Sequence, residues 1–179
     1  MKNIRALAIV AFASVALFQN PVFAQSSIED DATAALQTLY TDVPTAKVIG
    51  DKAKAILVFP SIVKAGFMVG AQYGEGVLFV NGKLVAHYNS AAASYGLQAG
   101  VQTFGYALFL MTDEALKYLD KSDGWEIGVG PSIVIVDIGK AKTLTTTTLK
   151  DDIYAFIFNQ KGLMAGLGLQ GSKITKLDK

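Results

Sequence analysis

The side chains that could take part in catalysis are few, and their spacing matches no common catalytic arrangement. His87 is the only histidine and cysteine is absent, which excludes multi-histidine metal sites, thiolate metal sites and disulfide bonds. His87 falls on a predicted strand, where we interpret it as a surface or partly buried residue. Ser94 stands one substitution away from the G-x-S-x-G nucleophile elbow, but the residues that follow it are strand-like and rich in glycine. A helix would be needed there.

The carboxylates also lack the spacing of an acid/base pair or of a calcium loop. We interpret them as solvated or turn-capping groups; the set considered is Glu75, Asp113, Glu114, Asp123, Glu126 and Asp137. Neither a P-loop nor a dinucleotide-binding fingerprint occurs. The sequence therefore predicts a protein that is not an enzyme and that has no cofactor and no metal site.

Four lysines form a basic run that could recognise lipid. Lys47, Lys52, Lys54 and Lys64 fall within a short stretch and alternate with apolar residues. Near an anionic membrane each lysine contributes about 1 kcal/mol. We predict these four residues as the lipid-binding site, with an anionic lipid or a membrane surface as the partner. The alternative is a solvated face around a core helix.

Nucleic acid is not expected as a partner. The formal net charge of the chain is +1, and Arg5 is its only arginine. Recognition of bases and phosphates usually depends on a basic excess and on the planar fork of arginine.

The first 24 residues have the pattern of a signal peptide. Lys2 and Arg5 precede an apolar run at residues 6–18, and residues 22–24 have the small-x-small form of a cleavage site. We expect cleavage near Ala24-Gln25, which leaves a single domain at residues 25–179 in the periplasm or outside the cell. Lipoprotein modification is not expected, since it needs a cysteine. The alternative is an uncleaved membrane anchor.

Two helices are indicated by capping residues and apolar periodicity. Ser27 precedes three acidic residues, and apolar residues then recur on one face, which predicts an N-terminal helix at about residues 28–41. A short second helix is expected at residues 44–54. Thr112 followed by two acidic residues predicts another short helix near residues 113–120.

The rest of the chain is organised around the glycine-rich stretch 64–80. Its glycines indicate bends and close backbone approach in strands, and similar pieces recur downstream. Asn81-Gly82 predicts a type I′ hairpin turn. We predict an α+β fold with a strongly curved, barrel-like antiparallel β-sheet and strands at 125–137, 153–158 and 173–177. The expected apolar interior consists of Phe67, Leu78, Phe104, Phe109, Phe156 and Leu167.

Several segments together resemble the SYLF domain family. They are Phe59-Pro60, Lys64-Ala65-Gly66-Phe67, the glycines at 70, 74 and 76, residues 94–100, and residues 161–166 with Gly171-Ser172. The resemblance covers about residues 47–177. It implies a non-enzymatic lipid-binding domain with many exported bacterial members. Its eukaryotic relatives bind phosphoinositide-rich membranes with the help of an N-terminal amphipathic helix, and some bind or bundle actin.

Two functions follow as hypotheses. The first is a lipid- or membrane-associating domain of the bacterial periplasm, of the type that binds phosphoinositide or another anionic lipid. The alternative is an envelope scaffold or stress protein that acts through protein–protein contacts.

Overall fold

The computed structural model describes residues 27–121, 124–136, 149–162, 169 and 171–178. The predicted signal peptide and its cleavage site lie outside these residues. Within them the chain forms three helices and six strands. These are α1 (Ile28–Asp42), α2 (Pro44–Gly50), β1 (Ala55–Val80), β2 (Lys83–Leu110), α3 (Asp113–Lys121), β3 (Trp125–Glu126), β4 (Ile133–Val136), β5 (Ile153–Gly162) and β6 (Lys173–Leu177).

One very long hairpin dominates the fold. β1 pairs antiparallel with β2 from Ala55 opposite Leu110 to Val80 opposite Lys83. The turn between them is the predicted one, since Asn81 and Gly82 both have positive φ, at 50° and 73°. The run at 56–59 and the glycine-rich stretch therefore belong to one strand, and the chain passes Pro60 with a shift of register.

The hairpin folds over at its middle, and glycine makes this possible. A Cβ atom placed on Gly66 would lie 2.4 Å from the Gly70 Cα atom. A Cβ atom on Gly74 would lie 2.4 Å from the carbonyl oxygen of Ser61. The two halves of β1 thus approach each other backbone to backbone, as the glycine spacing predicted.

The remaining strands extend both halves of the hairpin into a curled half-barrel. The sheet order is β3-β6-β2-β5-β4, and β1 pairs with β2 outside this path. This confirms the α+β class and the curved sheet. One pair differs from the antiparallel prediction, because β4 runs parallel to β5, with Ile133 opposite Ile153. The strand predicted at 125–137 is divided into β3 and β4 by turns at Gly128 and Gly130, which have φ of 103° and 90°; Asp137 lies outside the described residues.

Two apolar cores lie on opposite faces of the sheet. Successive strand residues point to opposite faces, so Leu57 joins the inner core while Val58 joins the outer core beneath the helices. The residues predicted to form one apolar interior come from both faces of the sheet. Leu78 and Phe104 are in the inner core, Phe109 and Phe156 are in the outer core, Phe67 is exposed, and Leu167 lies outside the described residues.

The helices begin and end for local reasons. The Ser27 hydroxyl accepts a hydrogen bond from the Asp30 amide at 3.2 Å, which caps α1 and confirms its predicted start. Thr112 accepts one from the Ala115 amide at 3.2 Å and caps α3. α2 ends at Gly50, earlier than predicted, because the chain then turns and the Lys54 amide donates to the carbonyl oxygen of Leu110 at 2.8 Å.

Candidate functional site

A groove lies where the helices meet the open end of the hairpin. Its volume is about 480 Å³. One wall is the outward face of α1, and the other walls are the end of α2, the start of β1 and the Asn81-Gly82 turn. The lining residues are Thr33, Leu36, Gln37, Tyr40, Lys47, Gly50, Asp51, Ala53, Lys54, Ala55, Ile56, Phe79, Asn81 and Gly82. We call this the lysine groove.

Helix packing fixes the shape of the lysine groove. Ala32, Ala35 and Leu39 of α1 are buried against the outer core, which turns Thr33 and Tyr40 toward the groove. The Tyr40 hydroxyl also packs closely against Gly50, the last residue of α2.

Two lysines enter the groove, and each has an acidic neighbour. The Lys47 ammonium contacts the Asp51 carboxylate one helical turn away. It also lies 5.7 Å from the centre of the Tyr40 ring, within the range of a cation–π contact. Lys54 Nζ lies 3.6 Å from Asp113 Oδ1 at the start of α3. All four charged side chains are more than half exposed, so they can exchange these partners for a ligand at low cost.

Tyr40 remains a neutral hydrogen-bonding group across the physiological pH range. Burial of the phenol, and after it the negative charge of Asp51, raises the pKa of Tyr40 to about 12. A neutral phenol can donate a hydrogen bond to an anionic oxygen. Gln37 and Asn81 supply amide groups in the same groove. The arrangement therefore suits an anion with several oxygen atoms.

The four predicted lysines do not share one surface. Lys47 and Lys54 line the lysine groove, and Lys52 is exposed on the turn between them. Lys64 is buried, at 6% exposure, and lies opposite Gln102 on the inner face of the hairpin. Its position in the sequence suggested a common surface, but strand pairing directs its side chain elsewhere.

Tyr40, Gln37 and Asn81 were missed as site residues. Thr33, Gln37 and Tyr40 recur at i, i+4 and i+7, which places them on one face of α1. That spacing was available in the sequence. Their proximity to Asn81 depends on where the hairpin turn lies in the folded protein, which the sequence did not reveal.

The described residues offer little catalytic chemistry. His87 is partly buried on β2, as expected, and its Nε2 atom lies 3.0 Å from Glu29 Oε1 of α1. This contact ties the helix to the sheet. Within the described ranges, no three histidine or acidic side chains are grouped so that they could hold a metal ion. No helix in that part of the chain is both long and apolar enough to cross a membrane.

Comparison with known proteins identifies relatives. A family model described as "Ysc84: Las17-binding protein actin regulator" matches residues 91–179. Beta cell expansion factor A of Aeromonas veronii is 31% identical over 151 residues, which cover 84% of this chain and 56% of that protein. SH3 domain-containing YSC84-like protein 1 of Rattus norvegicus is 27% identical over 127 residues, 68% of this chain and 37% of that protein.

The chain thus spans about half of the bacterial relative and little more than a third of the rat protein. The names of this family are those of binding proteins and regulators and not of enzymes. The matched relatives, the curled sheet and the motifs noted in the sequence agree. The chain belongs to the SYLF family, which the Ysc84 model represents.

Proposed function

We propose that this protein is a non-enzymatic domain that associates with anionic lipid membranes, and that the lysine groove holds the lipid headgroup. One observation carries the proposal. Lys47 and Lys54 line a groove of about 480 Å³ together with Tyr40, Gln37 and Asn81. Two cations and several neutral donors around one concavity match the oxygen atoms of a phosphate headgroup.

The charge balance predicts moderate affinity that depends on salt. Asp51 and Asp113 offset part of the lysine charge, so the groove should bind anions with moderate affinity. Lys52, exposed beside the groove, adds a cation that is unpaired among the described residues. Screening of exposed charges at high salt should release the protein.

The test is sedimentation of purified residues 25–179 with vesicles of equal parts phosphatidylglycerol and phosphatidylcholine. The double variant Lys47→Gln/Lys54→Gln should bind between about fivefold and thirtyfold more weakly than the wild type. The control is Lys117→Gln/Lys150→Gln, which removes the same charge outside the groove. Equal loss of binding in both double variants would show that the groove is not the site.

Failure of the wild type to bind at low salt would overturn the membrane function itself. It would favour the second hypothesis, a scaffold that acts through protein contacts. The family model's description names binding to Las17 and regulation of actin for its own members, which makes a protein partner the natural next search.

We also propose that residues 1–24 are removed during export and that the domain works in the periplasm. The support is the basic, then apolar, then small-residue pattern of the first 24 residues. Expression of the full chain in a bacterial host and mass spectrometry of the periplasmic fraction test this. The expected product begins at Gln25, and a product that keeps Met1 would contradict it.

A further inference from the structure

The end of the folded hairpin carries an exposed apolar cluster. Val63, Phe67, Met68 and Val69 of β1 and Val101 of β2 form what we call the apolar tip. Phe67 is 74% exposed, and the other four are each about half exposed or more. A contiguous apolar surface of this kind is uncommon on a soluble domain unless it meets a partner.

Strand pairing brings these residues together. Ala65 lies opposite Val101 and Phe67 lies opposite Ala99, so Val101 is placed between the side chains of Val63 and Phe67. The alternation of β1 leaves Val63, Ala65 and Phe67 on the outer face, where all three are exposed. The tip is therefore a continuous outward surface.

The backbone at the apex is held in an uncommon conformation. Met68 has a φ of 64°, a region that non-glycine residues seldom adopt. The chain turns sharply here, because Gly66 and Gly70 approach each other closely. Glycine or asparagine would fit this turn with less strain. Methionine at this position keeps a long, exposed apolar side chain at the turn.

The charges around the tip indicate what it meets. Residues 65–74 of β1 and residues 90–101 of β2, which pair with one another at this end of the hairpin, contain no charged side chain, and the adjoining Lys64 is buried on the inner face. The neighbouring strands contribute exposed lysines: β5 reaches the tip with Lys161 and β6 begins beside it with Lys173. Among the described residues, Glu126 lies opposite Lys173 and Glu75 contacts the Tyr73 hydroxyl, whereas Lys161 lies opposite Thr103, which pairs with Val63 of the tip.

We propose that the apolar tip inserts into the interface of a lipid bilayer. Hydrocarbon excludes charge and accepts Phe, Met and Val, while Lys161 and Lys173 would lie at the level of anionic headgroups. The inference rests on the proposed membrane association but not on the lysine groove. The two sites are at opposite ends of the folded hairpin, separated by the residues from Ala55 to Gly66, which span about 35 Å along an extended strand.

The test uses tryptophan as a depth probe in residues 25–179. Trp125 is the only native tryptophan and is buried at 1% exposure, so it gives a constant background. Phe67→Trp places an indole at the tip. Val85→Trp is the matched control, because Val85 is an exposed apolar residue close to the hairpin turn at the groove end. Each variant is mixed with the phosphatidylglycerol vesicles described above, prepared with and without brominated acyl chains.

We expect brominated chains to quench Phe67→Trp and to leave Val85→Trp and the wild type unchanged. The quenching is measured at low salt, where the protein is bound, and it should fall in parallel with the sedimented fraction as salt is added. In sedimentation, Phe67→Ser should weaken vesicle binding by at least about tenfold, since a phenyl ring no longer leaves water. Phe67 is exposed, so this variant should keep the unfolding midpoint of the wild type.

Four results would separate the two proposals. Salt-sensitive sedimentation without quenching of Phe67→Trp would overturn tip insertion and leave the groove proposal standing. Quenching together with unchanged binding of Lys47→Gln/Lys54→Gln would support the tip and overturn the groove. The absence of both sedimentation and quenching would overturn both, and quenching of Val85→Trp alone would overturn the tip.

Discussion

Replacement of Asp51 by asparagine should strengthen binding to anionic vesicles. The Asp51 carboxylate lines the lysine groove and contacts Lys47, so it repels headgroups and neutralises a cation that would attract them. Asp51→Asn makes the local charge more positive by one unit. A unit charge near an anionic surface is worth about 1 kcal/mol, which corresponds to about a fivefold lower Kd.

The same substitution should leave the stability of the fold nearly unchanged. The Lys47–Asp51 pair is exposed, at 52% and 62% for the two side chains, and such pairs contribute about 0–1 kcal/mol. Asp51 also caps the C-terminus of α2, where a negative charge opposes the helix dipole. These two effects have opposite signs, so the free energy of unfolding should change by less than about 1 kcal/mol.

Vesicle sedimentation at low salt over a series of phosphatidylglycerol contents measures the effect. Asp120→Asn is the control, because Asp120 is equally exposed, pairs with Lys176 and does not line the groove. Asp51→Asn should bind about fivefold more tightly than this control. Equal or weaker binding of Asp51→Asn would refute the idea that headgroups occupy the lysine groove.

Three further predictions concern the fold that holds the groove. Gly74→Ala should lower the free energy of unfolding by about 1–3 kcal/mol in urea denaturation, because the new methyl group meets Ile62 and the backbone beside it; an unchanged midpoint would contradict the close approach. Hydrogen bonds from Ser132 lower the pKa of Asp152, so its stabilisation is present above the unfolded pKa near 3.8 and is lost as pH falls through the lower folded pKa. Asp152→Asn should therefore reduce Tm at neutral pH and flatten the acid limb of the Tm profile, and a parallel profile would count against this. Because burial raises the pKa of Tyr40 to about 12, the free energy of unfolding should fall as pH rises from 10 toward 12. The difference in phenolate absorbance between the wild type and Tyr40→Phe measures the titration of this phenol. A titration midpoint near pH 10 would disprove the prediction.

Local signals in the sequence predicted local structure well. Ser27 and Thr112 each cap the helix that they were expected to start. Asn81-Gly82 forms the expected turn, because few residue pairs adopt positive φ twice in succession. These features depend on side chains within four positions of one another, so a single stretch of chain contains all the information.

The candidate site was only partly visible in the sequence. Lys47 and Lys54 could be identified from the basic run, and both line the groove. Lys64 could not be separated from them, because the direction of its side chain depends on its pairing with Gln102 on a distant strand. Tyr40 had a recognisable helical spacing, but its role depends on the contact with α2.

The treatment of Phe67 shows the same limit. A phenylalanine in an apolar strand is usually part of the core, and the sequence offered no contrary sign. In the structure the strand folds over at Gly66 and Gly70, and Phe67 is left 74% exposed among the described residues. Whether a side chain is exposed depends on the residues that the fold places around it, and the residue type alone does not predict this.

The amino-acid sequence by itself determined the class of the fold, the position of the hairpin turn, the capped helices and the membership of the SYLF family, since composition, periodicity and short motifs carry each of them. Tertiary structure alone decided which lysines share a groove, which aromatic residues face each core, and that an apolar tip lies at the opposite end of the hairpin from that groove. The physical reason is strand pairing. A shift of one residue in register moves every side chain to the other face of the sheet, and that register is set by contacts between residues far apart in the chain.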